Sequence, residues 1–339
     1  YGGEAQDLVG VADARDPAGT RIRSLYGASF DDLSPRPGDL AEIDVLVIDL
    51  QDVGARYYTF VWTAVLAVRA CARAGVRAVV LDRPNPIGGD PASLEGRRQE
   101  RPYCSFVGLE PIPVRHGLTL GDIVAWRADA EGLPREAVRV VGVAGVGHEE
   151  DGSAWDRPFV MPSPNMPTLD TALVYPGGCL VEGTNLSEGR GTTRPFEIVG
   201  APWIDGEKLA GALHALALPG FRARPVVFQP GFQKHAGRRC GGVQIHVTDR
   251  RAFRPFETYL ALVALARTQD PESFAFRTSM YEFRDDVPAF DLLTGSGEAR
   301  ERIALGDDPR ALARAVAGVD DGDREVVREA VAAAAARRV

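Results

Sequence analysis

Asp44-Val-Leu-Val-Ile-Asp-Leu50 is a near-continuous apolar run, and it decides the fold. Such a run reads as a strand buried on both faces, the habit of parallel sheets. Val61 to Ala74 follows, rich in good helix formers and closed by Gly75 as a C′ residue. Val76 to Leu81 is then a second β-branched run. Strand, helix and strand make a βαβ unit with a right-handed crossover. Cys71 falls on the apolar pattern of the helix and reads as a buried core thiol.

In such a unit both strands end at one sheet edge, and ligands collect outside those carboxyl ends. Asp49, Gln51, Asp52 and Arg56 follow the first strand, and Asp82, Arg83 and Asn85 follow the second. Polar candidates therefore gather where the fold puts a site. An equally good reading makes Asp49 and Arg83 a structural ion pair. No G-x-G-x-x-G follows the first strand, so the dinucleotide fingerprint is missing and no cofactor is expected.

Further along, Pro111-Ile-Pro-Val-Arg-His-Gly117 is a rigid turn that brings Arg115 and His116 together. His116 is the best general-base candidate of the five histidines; its bland alternative is to cap the helix Leu118 to Ala130. Val138 to Val143 reads as another strand. His148-Glu-Glu-Asp151 has metal-ligating side chains but no second ligand cluster, and none of the four cysteines lies in a C-x-x-C pair, so no metal is expected.

The segment from Trp155 to Trp203 is the densest in chemistry. Pro158 to Pro167 cannot continue a helix or a central strand. Cys179-Leu-Val181 reads as a short strand, followed by the glycine-rich loop Glu182-Gly-Thr-Asn-Leu-Ser-Glu-Gly-Arg-Gly-Thr-Thr193. Glu182, Asn185, Glu188, Arg190 and Thr192 give that loop two carboxylates, a guanidinium and neutral hydrogen-bonding groups, while its glycines let backbone approach a ligand. A solvated surface loop is the bland reading. The flanking aromatics Tyr175, Phe196 and Trp203 favour a polar ligand, such as a sugar. A phosphate site ranks last because the G-x-x-x-x-G-K-[ST] pattern is lacking.

After this segment come a helix from Asp205, strands at 221–228 and 242–247, and a helix at 253–268. Lys234 and His235 lie between the two strands. Residues 270–283 read as irregular, three short helical patterns follow, and the alanine-rich 324–338 reads as a helix with a solvated charged face and no chemistry. With no linker visible, the division is expected near 195, into a larger domain 1–195 and a smaller one 196–339 in close contact. At 339 residues the chain has room for both. The net charge of −8 argues against nucleic acid, and no window has the apolar length of a membrane span.

Five motifs in one order resemble the NamZ-type exo-β-N-acetylmuramidases: Leu50-Gln-Asp-Val-Gly-Ala-Arg-Tyr-Tyr-Thr59, Leu81-Asp-Arg-Pro-Asn-Pro-Ile-Gly-Gly89, Pro113-Val-Arg-His-Gly117, Pro162-Ser-Pro-Asn-Met-Pro-Thr168 and the loop 182–193. The resemblance implies an α/β protein with a Rossmann-like, mostly parallel N-terminal domain, a smaller α/β domain and an active-site cleft between them. It implies removal of β-1,4-linked N-acetylmuramic acid from the non-reducing ends of peptidoglycan fragments. It adds Asn165 and Tyr58 to the substrate-binding candidates. Family members carry a Gly-Pro-Glu-His-Gly motif whose place falls ahead of Tyr1-Gly-Gly-Glu-Ala5, so a catalytic Glu-His pair is expected upstream; Glu4 does not match it. The family is often exported, though no signal peptide is visible.

Glycoside hydrolysis needs an acid for the leaving oxygen and a second group for the anomeric carbon. Glu188, Glu182, Asp52, Asp49 and Glu95 are the candidate carboxylates. Arg56, Arg83, Arg115 and Arg190 are candidates for a bidentate grip on the lactyl carboxylate of muramic acid, and Tyr57, Tyr58 and Trp203 for stacking on the ring. An arginine paired with Glu188 would favour its charged form and leave it a poor acid, so Glu188 is expected to orient substrate. The competing reading is a non-catalytic peptidoglycan-binding protein.

Overall fold

The structure is a computed structural model that describes residues 12–339, and Glu4 lies outside that range. A short hairpin, β1 (Ala14–Arg15) and β2 (Arg21–Ile22), and a one-turn helix α1 (Pro37–Leu40) precede the first full unit. That unit is β3 (Val45–Ile48), α2 (Phe60–Ala74) and β4 (Arg77–Asp82), with the two strands parallel. Gly75 takes φ +71° and donates back to the carbonyls of Cys71 and Ala72, the left-handed stop that only glycine adopts freely. The inward face of α2 buries Val61, Trp62, Val65 and Val68, and Cys71 is a free, buried thiol.

The chain next forms α3 (Leu120–Ala130) and β5 (Val138–Gly142), which pairs parallel to β4. Thr119 and Asp122 close a capping box at the start of α3. Asp82, the last residue of β4, accepts from Gly121 N at 2.7 Å and Thr119 Oγ1 at 2.9 Å. A Cβ at position 121 would lie 2.5 Å from the Asp82 carboxyl, so only glycine lets strand end and helix start meet.

A second sheet, all antiparallel, is ordered β6 (Ile198–Ala201), β8 (Cys240–Val247), β7 (Phe221–Phe228). Around it lie α4 (Leu169–Gly178), α5 (Gly206–Ala215, capped by Asp205) and α6 (Pro255–Gln269). Then come α7 (Ala289–Thr294), α8 (Glu298–Leu305), α9 (Pro309–Ala317) and α10 (Asp321–Arg337). The chain is therefore a mixed α/β protein with one parallel and one antiparallel sheet. Its largest apolar cluster runs without a break from Val53, Tyr57 and Tyr58 to Tyr259, Phe290 and Val316, so the two halves share packing.

One expectation is corrected. Cys179–Gly183 is a 3-10 extension of α4, not a strand. It is buried throughout, and a short run buried on all sides carries no period that separates strand from helix. The last helix keeps the solvated charged face expected of it, with Glu325, Arg328 and Glu329 exposed, and packs through the other. α10 lies on α3 and buries Val327, Ala330, Ala334 and Arg337. Arg337 binds Asp129 at 2.6 Å, and Arg338 reaches Asp82 at 3.2 Å and Asp122 at 3.4 Å.

Three buried charges tie segments together. Arg56 donates to the carbonyls of Arg97, Ile112 and Leu293 at 3.0, 3.0 and 2.7 Å, and burial pulls its pKa down to about 10. Arg115 donates to Ile87 O at 3.0 Å and Phe253 O at 3.4 Å. Glu95 accepts from Glu257 N at 3.1 Å and so caps α6 from the other half of the chain.

Replacing Arg56 by Met should cost on the order of 3–5 kcal/mol in denaturant unfolding, because three buried carbonyls lose their donor; a loss below about 1 kcal/mol would show the strut to be dispensable. Burial raises Glu95 to about 7. A raised carboxyl pKa gives stability that is full below the unfolded value of about 4.3 and lost as pH rises through 7. Thermal midpoints should therefore fall between about pH 4 and 7, and Glu95→Gln, which keeps the acceptor without the charge, should flatten part of that fall. An unchanged slope in the variant would take Glu95 out of the effect.

Candidate active site

The carboxyl edge of the parallel sheet holds the first group of candidates. Asp49 and Arg83 form an ion pair at 2.8 Å, with side chains 49% and 42% exposed, which is the structural pairing weighed from sequence. Gln51 donates to the carbonyls of Asp52 and Pro84 at 2.7 and 3.2 Å, pinning one strand-end loop to the other. Asn85 donates to Leu118 O and accepts from Ile87 N, so its amide shapes the turn before α3.

Asp52 and His116 face each other in full burial, with Oδ2 and Nε2 3.5 Å apart. Asp52 Oδ2 accepts from Gly54 N at 2.8 Å, while Oδ1 has no hydrogen-bond partner among the described residues. Burial, with the charge of Asp82 adding to it, raises Asp52 to about 7. Burial pulls His116 down to about 3. His116 Nδ1 accepts from Leu118 N at 3.0 Å, which assigns the ring proton to Nε2, the side facing Asp52. The pair is thus a neutral imidazole beside a carboxyl that keeps its proton near neutrality. His116 also shapes the turn into α3, which joins its two sequence readings.

Asp82 belongs to a deeper network with Asp122, His148 and Arg338. His148 Nε2 lies 2.9 Å from Asp122 Oδ2, and that hydrogen bond raises the histidine pKa. Burial, then the charge of Asp122, raises Asp82. His148 and Arg338 come from sequence positions that gave no signal for this role. Among the described residues no group of three or more His, Cys, Asp or Glu is placed to hold a metal ion.

The loop 182–192 carries the second group as a ladder of alternating charge. Tyr281 Oη donates to Glu182 at 2.8 Å. Glu182 pairs with Arg190 at 2.7 Å, Arg190 with Glu188 at 3.3 Å, and Glu188 with Lys234 at 2.9 Å. Burial pushes the Glu182 pKa up, but Arg190 and the Tyr281 hydroxyl outweigh it and the net shift is downward. Lys234 also donates to the carbonyls of Val181 and Leu186, so its ammonium locks the loop as well as Glu188. Gly189 and Gly191 take φ +78° and +79°, and a Cβ at either would strike backbone within 2.6 Å.

Two members of the loop serve its own geometry. Asn185 donates to Ser273 O and accepts from Ala275 N, and Thr192 donates to Gly189 O and accepts from Arg194 N. Arg56 and Arg115 are likewise committed to backbone carbonyls, which sets them apart from Arg190. Asn165 is buried. Aromatic rings join the two groups. Tyr175 stands edge-on to Tyr57 at 6.0 Å, Tyr58 at 5.8 Å and Phe196 at 4.8 Å. The Arg190 guanidinium lies 5.2 Å over Phe196. Tyr57 also donates to Pro176 O. Trp203 meets His235 edge-on at 5.4 Å.

Residues 1–170 match the family model for the N-terminal part of the exo-β-N-acetylmuramidase NamZ, and residues 173–319 match the model for its C-terminal part. The peptidoglycan β-N-acetylmuramidase NamZ of Bacillus subtilis (strain 168) is 40% identical over 303 residues, 89% of this chain and 70% of that protein. A crystal structure of a DUF1343 family protein from Bacteroides fragilis NCTC 9343 is similar with a TM-score of 0.78 and 29% identity, over 96% of this chain and 81% of that one. A second from the same organism gives 0.65 and 26%, over 89% and 77%. Both family models lie in order along one chain that carries the five motifs and the paired-charge loop between its two sheets, and the chain belongs to the NamZ family of exo-β-N-acetylmuramidases.

Proposed function

We propose that the chain is a glycosidase that releases N-acetylmuramic acid from the non-reducing ends of β-1,4-linked peptidoglycan fragments. The single observation that carries this reading is the 40% identity to the Bacillus subtilis peptidoglycan β-N-acetylmuramidase. The reaction takes place in a cleft between a Rossmann-like domain, residues 1–195, and a smaller α/β domain, residues 196–339. Asp52 and His116 stand on one side, and the loop 182–193 at the domain boundary, joined by Lys234 of the smaller domain, on the other.

The chemistry divides between the walls. A general acid must hold its proton at working pH, and burial gives Asp52 that property. Asp52, with His116 behind it, supplies the proton-holding group among the described residues. Glu188, with a cation at each oxygen, fixes the position of polar groups on the sugar. The lactyl carboxylate needs a cation with planar donors. Arg56 and Arg115 give theirs to backbone carbonyls, and Arg190 and Arg83, each held by carboxylates, are the candidates to meet the substrate's carboxylate.

A chromogenic muramide should accordingly be turned over in strong preference to the glucosaminide that lacks the lactyl group. Either Arg190→Ala or Arg83→Ala should abolish the preference; equal turnover of both sugars by the unmutated enzyme would rule the mechanism out. A second expectation concerns pH. With Asp52 near 7 and active when protonated, kcat/KM should fall as pH rises through about 7. Asp52→Asn should lower kcat by about 10²–10⁴-fold and remove that limb. A variant that keeps the limb would assign it to another group.

A further inference from the structure

The turn Tyr281–Arg284 is a two-residue hairpin closed by both backbone bonds, Tyr281 N to Arg284 O at 2.8 Å and Arg284 N to Tyr281 O at 3.0 Å. Its central residues, Glu282 and Phe283, have φ +49° and +65°. Two left-handed residues in succession are the signature of a type I′ turn, which ordinarily carries Asn-Gly. Neither Glu nor Phe adopts that conformation freely, so surrounding contacts must hold the turn in place.

Those contacts come from the first half of the chain. The Phe283 ring packs edge-on against Phe30 at 6.2 Å and Phe106 at 6.4 Å. Arg284 donates to Cys104 O at 2.9 Å and Pro102 O at 3.2 Å, and its guanidinium is held by Asp286 at 2.6 Å. On the other side of the same turn, Tyr281 is buried, with Arg277 5.0 Å over its ring, and its hydroxyl meets Glu182 Oε2 at 2.8 Å. The opposite oxygen of Glu182 holds Arg190.

From this geometry we infer that Tyr281 is a positioning residue for the glycosidase reaction: the strained turn, anchored by Phe283 and Arg284, delivers its hydroxyl to Glu182, which fixes the Arg190 guanidinium for the sugar's carboxylate. A carboxylate accepting from a rigid phenol on one side presents its other oxygen in one direction only. Arg190 is thereby aimed through Glu182, and Tyr281 never touches substrate. The role rests on the reading that Glu182 and Arg190 lie at the substrate site.

The test uses the full chain on a chromogenic muramide, with Tyr281→Phe, Glu182→Gln, the double variant and Phe283→Leu, each with a thermal melt. Tyr281→Phe keeps the ring and removes one hydrogen bond to a charged group, so kcat/KM should fall about tenfold, mainly through KM. The acid limb of its pH profile should move up, because Glu182 loses a donor that favours its charged form. The double variant should be no worse than Glu182→Gln alone, within about twofold, as expected when one residue works through the other. Phe283→Leu loosens the anchor without touching the ladder and should lower kcat/KM in the same direction. Wild-type kcat/KM and an unshifted limb in Tyr281→Phe, alongside an impaired Glu182→Gln, would overturn the positioning role and leave the site standing. Additive losses in the double variant would overturn it too. Full turnover by Glu182→Gln would instead remove the loop from the site.

Discussion

A carboxyl group taken out of water must either keep its proton or find a cation, because its bare charge in a low-dielectric interior costs more than the fold can offset. This protein buries several carboxyls and uses both solutions. Asp52 and Glu95 have burial as the dominant influence, and both are raised to about 7. Glu182 and Glu188 lie equally deep but are threaded between Arg190 and Lys234. Asp82 and Asp122 share Arg338. The same constraint, met two ways, separates buried carboxyls that keep their proton from buried carboxylates that keep a cation.

It also explains how the halves of the chain hold together. Among the described residues Arg56 is paired with no carboxylate; three carbonyls from segments at 97, 112 and 293 surround it. Glu95 reaches across to cap α6, and Arg115 reaches across to Phe253 O. Each of these side chains satisfies backbone groups that a neighbouring helix end or loop leaves open. The charges within the LQDVGARYYT and PVRHG motifs therefore do two jobs. Asp52 and His116 face each other, while Arg56 and Arg115, only a few residues away, are struts.

That split marks the limit of what the sequence discloses. The βαβ unit was legible because its cues are local: β-branched runs, a helix of good formers, and Gly75 at the stop. The loop 182–193 was legible as a concentration of chemistry, and so was the closeness of Arg190 to Glu188, since the two are two residues apart. What could not be read were partners remote in sequence. Arg56 and Leu293 are 237 positions apart, Tyr281 and Glu182 are 99 apart, and Arg338 and Asp82 are 256 apart. Cys179–Gly183 escaped for a different reason, since an element buried on every side loses the periodicity by which helix and strand are told apart.

The ladder Tyr281–Glu182–Arg190–Glu188–Lys234 contains two anions and two cations, so as drawn it sums to zero charge. A substrate that carries its own carboxylate adds a negative charge beside it. Arg190 already serves two carboxylates, and a third anion on its guanidinium must loosen the 3.3 Å contact to Glu188 more readily than the 2.7 Å contact to Glu182. Lys234 would then hold Glu188 alone, still tied by its other two donations to Val181 O and Leu186 O. Binding in this scheme is an exchange of anions around one fixed guanidinium. On the proposed reading a neutral sugar has nothing to exchange, and the position of that guanidinium follows from Glu182, which Tyr281 holds.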